Sequence, residues 1–320
     1  MRTDSYLITG QTFDSIFQNV LFQLSEYPQY ICSPRGSKIK ENIGMTLVLE
    51  NPRARLLSSK TREANYGFAV GEFLWYWQGK RDLATMQYYN KRMKTFSNDN
   101  LTLNSAYGYR LKKRFFFPNE TAPGQGMTQW EVAKKTLKED PDSRRAIMLI
   151  NQPEDEVSAW VHGSKDVPCT LSFQFFIRDG KLDLHAHMRS NDVMWGLTYD
   201  LFSFTLFQEC MLLELRNMDE KFKDLQLGRY IHTAGSLHLY EQHFKQADDI
   251  LKEYGEMNPE NIAKIQDPIN LQEFEKICFA EHDLRSVGSI VHDVGSLSKT
   301  GAWMVEQLIK HRQKRDAEIK

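Results

Sequence analysis

Cys169 stands between Pro168 and Thr170, and Arg189 opens the run Arg189-Ser190-Asn191-Asp192. Between them lie two alternating apolar segments, residues 173–177 and 182–188, joined by Asp179-Gly180. Asp-Gly between such segments is a strong hairpin signal. The hairpin would bring Arg189 back beside Cys169. A thiol next to a guanidinium has a route to a lowered pKa, and so to a thiolate able to act as a nucleophile. The stretch from Asp166 to Phe204 therefore reads as an active site.

Other residues carry candidate chemistry, each beside a plainer role. Arg35, next to Gly36 in ICSPRGSKIKENIG, sits either in a solvated loop or in one that grips phosphate. Glu72 lies among Phe73, Leu74, Trp75 and Tyr76. It is either on a wet helix edge or buried, where a raised pKa would suit proton transfer. Arg144-Arg145 at a strand edge is surface charge or a two-pronged anion clamp across a subunit interface. Asp200 precedes an apolar helix and could simply cap it. His238 and Tyr240 have alternate spacing, so both could face one side of an extended segment, although a lone histidine is more often structural.

The elements that must position these residues follow from periodicity. Residues 12–26 have helical spacing, with Thr12 as N-cap and Pro28 as the stop, and MTLVLEN reads as a strand ended by Pro52. An aromatic helix over 65–78 closes at Gly79. Residues 97–130 are loop-rich, 127–139 suggest an exposed helix, and DPDSRRAIMLIN joins a turn to a strand. A central helix spans 201–215. LGRYIHTAGSLHLYEQHFKQADDIL predicts a strand, a turn at Gly235 and then a helix. A last helix, TGAWMVEQLIKHRQKR, leads into a basic tail.

The chain has 320 residues, 41% hydrophobic and 26% charged, with a formal charge of −1. That describes an ordinary globular protein rather than a general nucleic-acid coat. No linker divides it, so a single domain over 1–320 is expected, with a divergent C-terminal extension from about 250. Cys32, Cys169, Cys210 and Cys278 lack metal-binding spacing and read as reduced thiols, which predicts a cytoplasmic setting and no metal. No apolar run is long enough to span a membrane. Asn119-Glu120-Thr121 matches the glycosylation pattern by chance.

Taken in order, these motifs resemble the thymidylate synthase family, including its pyrimidine-nucleotide hydroxymethylase branch, over roughly residues 10–250. Cys169 followed by Phe173-Gln174-Phe175 matches the nucleophile strand. Arg189-Ser190-Asn191-Asp192 with Gly196 matches the phosphate and folate segment, and His238-Leu239-Tyr240 matches the sugar-holding His-x-Tyr. Arg144-Arg145 matches the pair that reaches the partner's nucleotide phosphate. Arg35 matches the phosphate-loop arginine, Glu72 the water-ordering glutamate, and Tyr107-Gly108 the tyrosine near C5 of the base. The resemblance implies an α+β fold with a mixed β-sheet and flanking helices, sheets packed back to back in a homodimer. It also implies a pyrimidine nucleoside monophosphate and 5,10-methylenetetrahydrofolate as substrates, with no need for DNA.

Three departures refine that expectation. Asp200 stands where the family's uracil-reading asparagine would be. Cytosine presents an N3 acceptor and an N4 amine donor, the reverse of uracil's N3–H and O4. A protonated Asp200 suits that edge, and a charged one suits a ring protonated at N3. Thr170 replaces the usual histidine after the nucleophile. The terminus DAEIK lacks the apolar motif that closes over folate, and no tryptophan follows Tyr88 where methylating members have one. Both losses would admit water. The resemblance therefore points to a deoxycytidylate 5-hydroxymethylase. CMP hydroxymethylation, a dUMP-acting enzyme and a non-catalytic nucleotide- or RNA-binding relative are the alternatives.

Overall fold

The Asp179-Gly180 turn forms as expected. In the computed structural model both residues are left-handed, with φ of 48° and 68°. That is the geometry of a two-residue hairpin, and Asp tolerates it better than most side chains. The structure describes residues 6–116, 126–257 and 263–319, so Asn119-Glu120-Thr121 lies outside the described residues.

In chain order the elements begin with β1 (Leu7–Gly10), α1 (Phe13–Glu26), β2 (Tyr30–Cys32), β3 (Ile39–Leu49) and α2 (Tyr66–Trp77). Next come α3 (Leu83–Tyr89), α4 (Tyr107–Lys112), β4 (Phe115–Phe116), β5 (Met127–Thr128), α5 (Gln129–Glu139), β6 (Ile147–Leu149) and α6 (Pro153–His162). The rest are β7 (Thr170–Arg178), β8 (Lys181–Met188), β9 (Asn191–Asp192), α7 (Gly196–Met218), β10 (Gln226–Tyr240), α8 (Phe244–Glu256), α9 (Phe274–Ser286) and α10 (Lys299–Ile319). No helix among the described residues is long and apolar enough to cross a membrane.

The chain divides into two compact units. The first comprises Met1–Ala64, Asp140–Arg144 and Cys169–Gln266; the second comprises Asn65–Glu139, Arg145–Pro168 and Asp267–Lys320. In the first, strands run in the order β1-β3-β10-β8-β7, with β2 on β3 and β9 on β10. β1 on β3 and β8 on β10 are parallel, whereas β3 on β10 and β7 on β8 are antiparallel. The result is an open mixed sheet flanked by helices, an α+β fold. α1 and α7 cover one face. There Phe173 meets Phe204 edge-on at 4.6 Å, and Phe13, Phe17, Leu184, Tyr230 and Phe207 are fully buried. Burying each such side chain contributes on the order of 2 kcal/mol.

The opposite face carries cross-strand rows: Val48, Ile231, His185 and Gln174, then Thr46, Thr233, His187 and Ser172. Most of these side chains keep accessible surface. His185 and His187 lie with ring centroids 3.8 Å apart; burial, aided by His187, holds His185 at about 4, so its ring is neutral at neutral pH.

Two boundaries differ from the sequence reading. The apolar helix starts at Gly196, so Asp200 lies inside it and is no cap. Just before the helix, the Asp192 carboxylate orders the turn by accepting the amides of Trp195 at 2.7 Å and Met194 at 3.3 Å. β10 also runs unbroken through Gly235. A Cβ there would stand 2.8 Å from the Arg189 carbonyl oxygen. The glycine thus permits a close backbone approach, a recurrent use within strands, and makes no turn.

In the second unit Asn65 caps α2 by accepting the Phe68 amide at 3.0 Å, and Gly79 closes it with φ +64°. Tyr107 stacks on Tyr76, centroids 5.2 Å apart and 11° between planes. A Cβ at Gly108 would lie 1.8 Å from the Tyr76 carbonyl oxygen, so only glycine lets α4 seat this closely on α2. α10 packs on α2 and α9, burying Met304, Val305 and Leu308.

Candidate active site

Most of the sequence-predicted residues belong to the first unit, at the ends of β7, β8, β9 and β10 and the start of α7. The Arg189 amide donates to the Cys169 carbonyl at 2.9 Å, which extends the β7–β8 ladder past its last strand pair and fixes both residues. The expected juxtaposition is therefore present. The expected acidity is not. Burial pushes the Cys169 thiol above its ordinary value, outweighing the pull of the Arg189 and Arg35 guanidinium groups, and Asp200 pushes it further up. At neutral pH Cys169 is therefore held as the thiol.

Asp200 sits one turn into α7 with only part of its surface open. Burial raises its carboxyl to about 7, and Asp192 adds to the rise, while a hydrogen bond from Asn191 opposes it. That bond runs from Asn191 Nδ2 to Oδ2 at 2.7 Å. Asn191 is 2% exposed, and its Oδ1 has no partner among the described residues. A Cβ at Gly196 would stand 2.9 Å from Asn191 Nδ2 and 3.5 Å from Asp200 Oδ2. Gly196 thus makes room for the Asn191–Asp200 pair.

A raised carboxyl pKa has a definite sign in stability. The unfolded chain loses this proton near 3.8 and the folded one near 7. The stabilising contribution is full below the first value and is lost as pH rises through the second. Asp200→Asn is therefore expected to melt above the parent at pH 8, with the gap closing towards pH 4. Thermal scans across that range check it; a gap independent of pH would contradict the assignment.

His238 and Tyr240 do face the same way, in edge-on contact with centroids 5.0 Å apart. His238 is 6% exposed. Burial holds its ring below the ordinary histidine value despite the nearby Asp192 and Glu41 carboxylates. The Val193 amide donates to its carbonyl at 2.9 Å, and the Ser236 amide donates to the Arg189 carbonyl at 3.1 Å. Ser190 is half-buried beside exposed Arg189. Arg35 is exposed in a left-handed turn, φ 52°.

The remaining candidates fall elsewhere. Gln174 lies on the open sheet face, its amide donating to the Arg144 carbonyl at 2.9 Å. Arg144 and Arg145 are both exposed, Arg144 in the first unit and Arg145 in the second. Glu72 and Tyr107 belong to the second unit and are half-buried, so Glu72 occupies a helix edge rather than the core. Thr170 is fully buried, and its hydroxyl has no partner among the described residues. Trp195, 42% exposed beside His243, was not singled out by the sequence; its place between Asp192 and Gly196 was the available signal.

Comparison with known proteins adds independent findings. A family described as thymidylate synthase matches residues 36–288. A protein named deoxyuridylate hydroxymethyltransferase from Bacillus phage SP01 is 31% identical over 278 residues, covering 85% of this chain and 68% of its own. A thymidylate synthase from Corynebacterium aurimucosum is 28% identical over 231 residues, 69% of this chain and 78% of that one.

Proposed function

This chain belongs to the thymidylate synthase family, and from that premise we propose that it hydroxymethylates the base of deoxycytidylate. The coarser activity comes with the family: folate-dependent one-carbon transfer to a pyrimidine nucleotide, with 5,10-methylenetetrahydrofolate as co-substrate. The finer reading rests on one observation above the others. The carboxyl facing the reactive thiol's surroundings, Asp200, titrates near neutrality, so it supplies the proton that cytosine N3 must receive.

C5 of a pyrimidine is a weak nucleophile. Addition of the Cys169 sulfur to C6 makes C5 enamine-like, and C5 then bonds to the methylene carbon of the folate. Loss of the C5 proton and departure of tetrahydrofolate leave an exocyclic methylene on the ring. Water adds to that carbon and Cys169 leaves, so dCMP, methylenetetrahydrofolate and water become 5-hydroxymethyl-dCMP and tetrahydrofolate. Asp200 shares one proton with N3 and accepts from the N4 amine. Asn191 holds Asp200 in place, and its buried Oδ1 offers a second acceptor to that amine. Uracil O4 would meet the Asn191 Oδ1 lone pair to lone pair.

In this reading Arg35, Arg189 and Ser190 hold the 5′-phosphate, and His238 and Tyr240 hold the sugar. Glu72 orders water and relays protons, Tyr107 assists near C5, and Asp192 contacts the folate. Asp192 fits that task because its carboxylate, which accepts the Met194 and Trp195 amides just before α7, has further lone pairs to offer, and the half-open Trp195 ring beside it offers a stacking surface. Arg144 and Arg145 reach a second subunit's phosphate in a homodimer. The uncovered face of the sheet, with its half-exposed Ile231 and Phe176, supports such a back-to-back pairing.

A second reading, dUMP hydroxymethylation, is favoured by the name of the phage relative. Incubating the protein with methylenetetrahydrofolate and dCMP, CMP or dUMP, and weighing the products, separates the readings. A hydroxymethyl group on dCMP with tetrahydrofolate formed is the expected result. Product from dUMP alone would overturn the cytosine assignment, and a methyl product with dihydrofolate would overturn water capture.

A further inference from the structure

The imidazole of His238 is wired to a carboxylate through a hydroxyl. β3 and β10 pair so that Glu41 lies directly opposite His238. From two residues back on the same strand, the Ser236 hydroxyl donates to Glu41 Oε1 and stands 3.3 Å from His238 Nδ1. The other oxygen of Glu41 accepts from the Cys32 thiol at 3.5 Å.

A serine hydroxyl has one proton and two lone pairs, and a carboxylate only accepts. With its proton committed to Glu41, Ser236 can only accept from the imidazole. Nδ1 must therefore carry the ring's hydrogen. Burial keeps the ring neutral, so Nε2 is left with a bare lone pair. A nitrogen in that state accepts a hydrogen bond and cannot donate one. Of the groups on a nucleotide's sugar, a hydroxyl is the donor available to it.

We propose that Glu41 and Ser236 are positioning residues that fix His238 as its Nδ1–H tautomer, making it an acceptor dedicated to the nucleotide's 3′-hydroxyl. The inference rests on the sugar-binding role given to His238 above. It goes further in assigning the direction of the hydrogen bond and the two residues that set it. Ser236 is suited to this because its own amide is held by the Arg189 carbonyl at 3.1 Å, so the hydroxyl starts from a fixed backbone. The same orienting logic applies to histidines in metal and catalytic sites, where the partner of one nitrogen sets the state of the other.

Two measurements test it on the full-length protein. Nitrogen-15 spectra of histidine-labelled protein, with the His238 signals assigned by their loss in His238→Asn, report the tautomer without any substrate. A protonated Nδ1 and bare Nε2 are expected in the parent, with a mixed population in Ser236→Ala. An Nε2–H tautomer in the parent would overturn the proposal.

The second measurement compares kcat/KM for dCMP with that for its 2′,3′-dideoxy analogue. The parent's preference for dCMP is expected to fall about three- to tenfold in Ser236→Ala and Glu41→Gln, the range of one lost neutral hydrogen bond. Ser236→Thr, which keeps the hydroxyl, should restore it. Equal losses on both nucleotides would mean a merely structural role and sink the idea. The dUMP pair is run in parallel. Turnover there alone would refute the cytosine reading while this ratio, taken on uracil nucleotides, still decides the sugar contact. Were nothing turned over, the tautomer alone would decide.

Discussion

Cys169→Ala is expected to lose turnover by about 10^4-fold or more while binding nucleotide within about threefold of the parent. The split follows from where the residue's groups go. Its carbonyl accepts the Arg189 amide at 2.9 Å, and alanine keeps that carbonyl, so the arginine proposed to hold the phosphate stays in register. What is removed is the sulfur alone. Without it C6 has no adding group, C5 never becomes enamine-like, and the remaining binding energy cannot replace a bond. Single-turnover assays with methylenetetrahydrofolate, beside calorimetric titration with dCMP, separate the two quantities. Retained turnover would exclude the covalent mechanism. Loss of both turnover and affinity would mean that the side chain supports the fold at this strand end.

Asp200→Asn should exchange one base for the other. The amide can hydrogen-bond to either base edge, accepting from uracil N3–H and donating to O4, but it has no acidic proton to give cytosine N3. The ratio of kcat/KM for dUMP over dCMP is expected to rise by about 10^3-fold, because the cytosine ring loses the proton donor that sulfur addition at C6 needs, while uracil does not depend on it. Asn191 remains opposite and can turn its amide to suit the new neighbour, so the pair persists. Competition between the two nucleotides, read by product mass, measures the ratio. An unchanged ratio would move base recognition away from α7.

Much of this site was legible because its key contacts are local. Asp-Gly between alternating segments dictates the hairpin, and the hairpin alone delivers Arg189 to Cys169. His238 and Tyr240 share a side because a strand has a period of two. What was hidden depends on sums over distant atoms or on pairing between remote strands. The thiol's pKa is one case, since burial from all around outweighs the visible arginines. The start of α7 is another: the helix opens at Gly196, after a turn in which Asp192 accepts the Trp195 amide, so the aspartate before the apolar run misleads. Gly235 reads as a turn because its partner, the Arg189 carbonyl, is far away in sequence. Glu41 escapes attention altogether until the β3–β10 register sets it opposite His238.

The residue assigned to the base rides on a helix, while those assigned to sugar and phosphate sit at strand ends stitched together by the Ser236–Arg189 hydrogen bond. In evolutionary terms these are separate inheritances. A lineage could redraw which pyrimidine it modifies by altering one position in the first turns of α7. Drift in the frame that grips the rest of the nucleotide is instead constrained at both ends at once. Such an architecture lets base choice diverge within a family whose covalent chemistry stays the same.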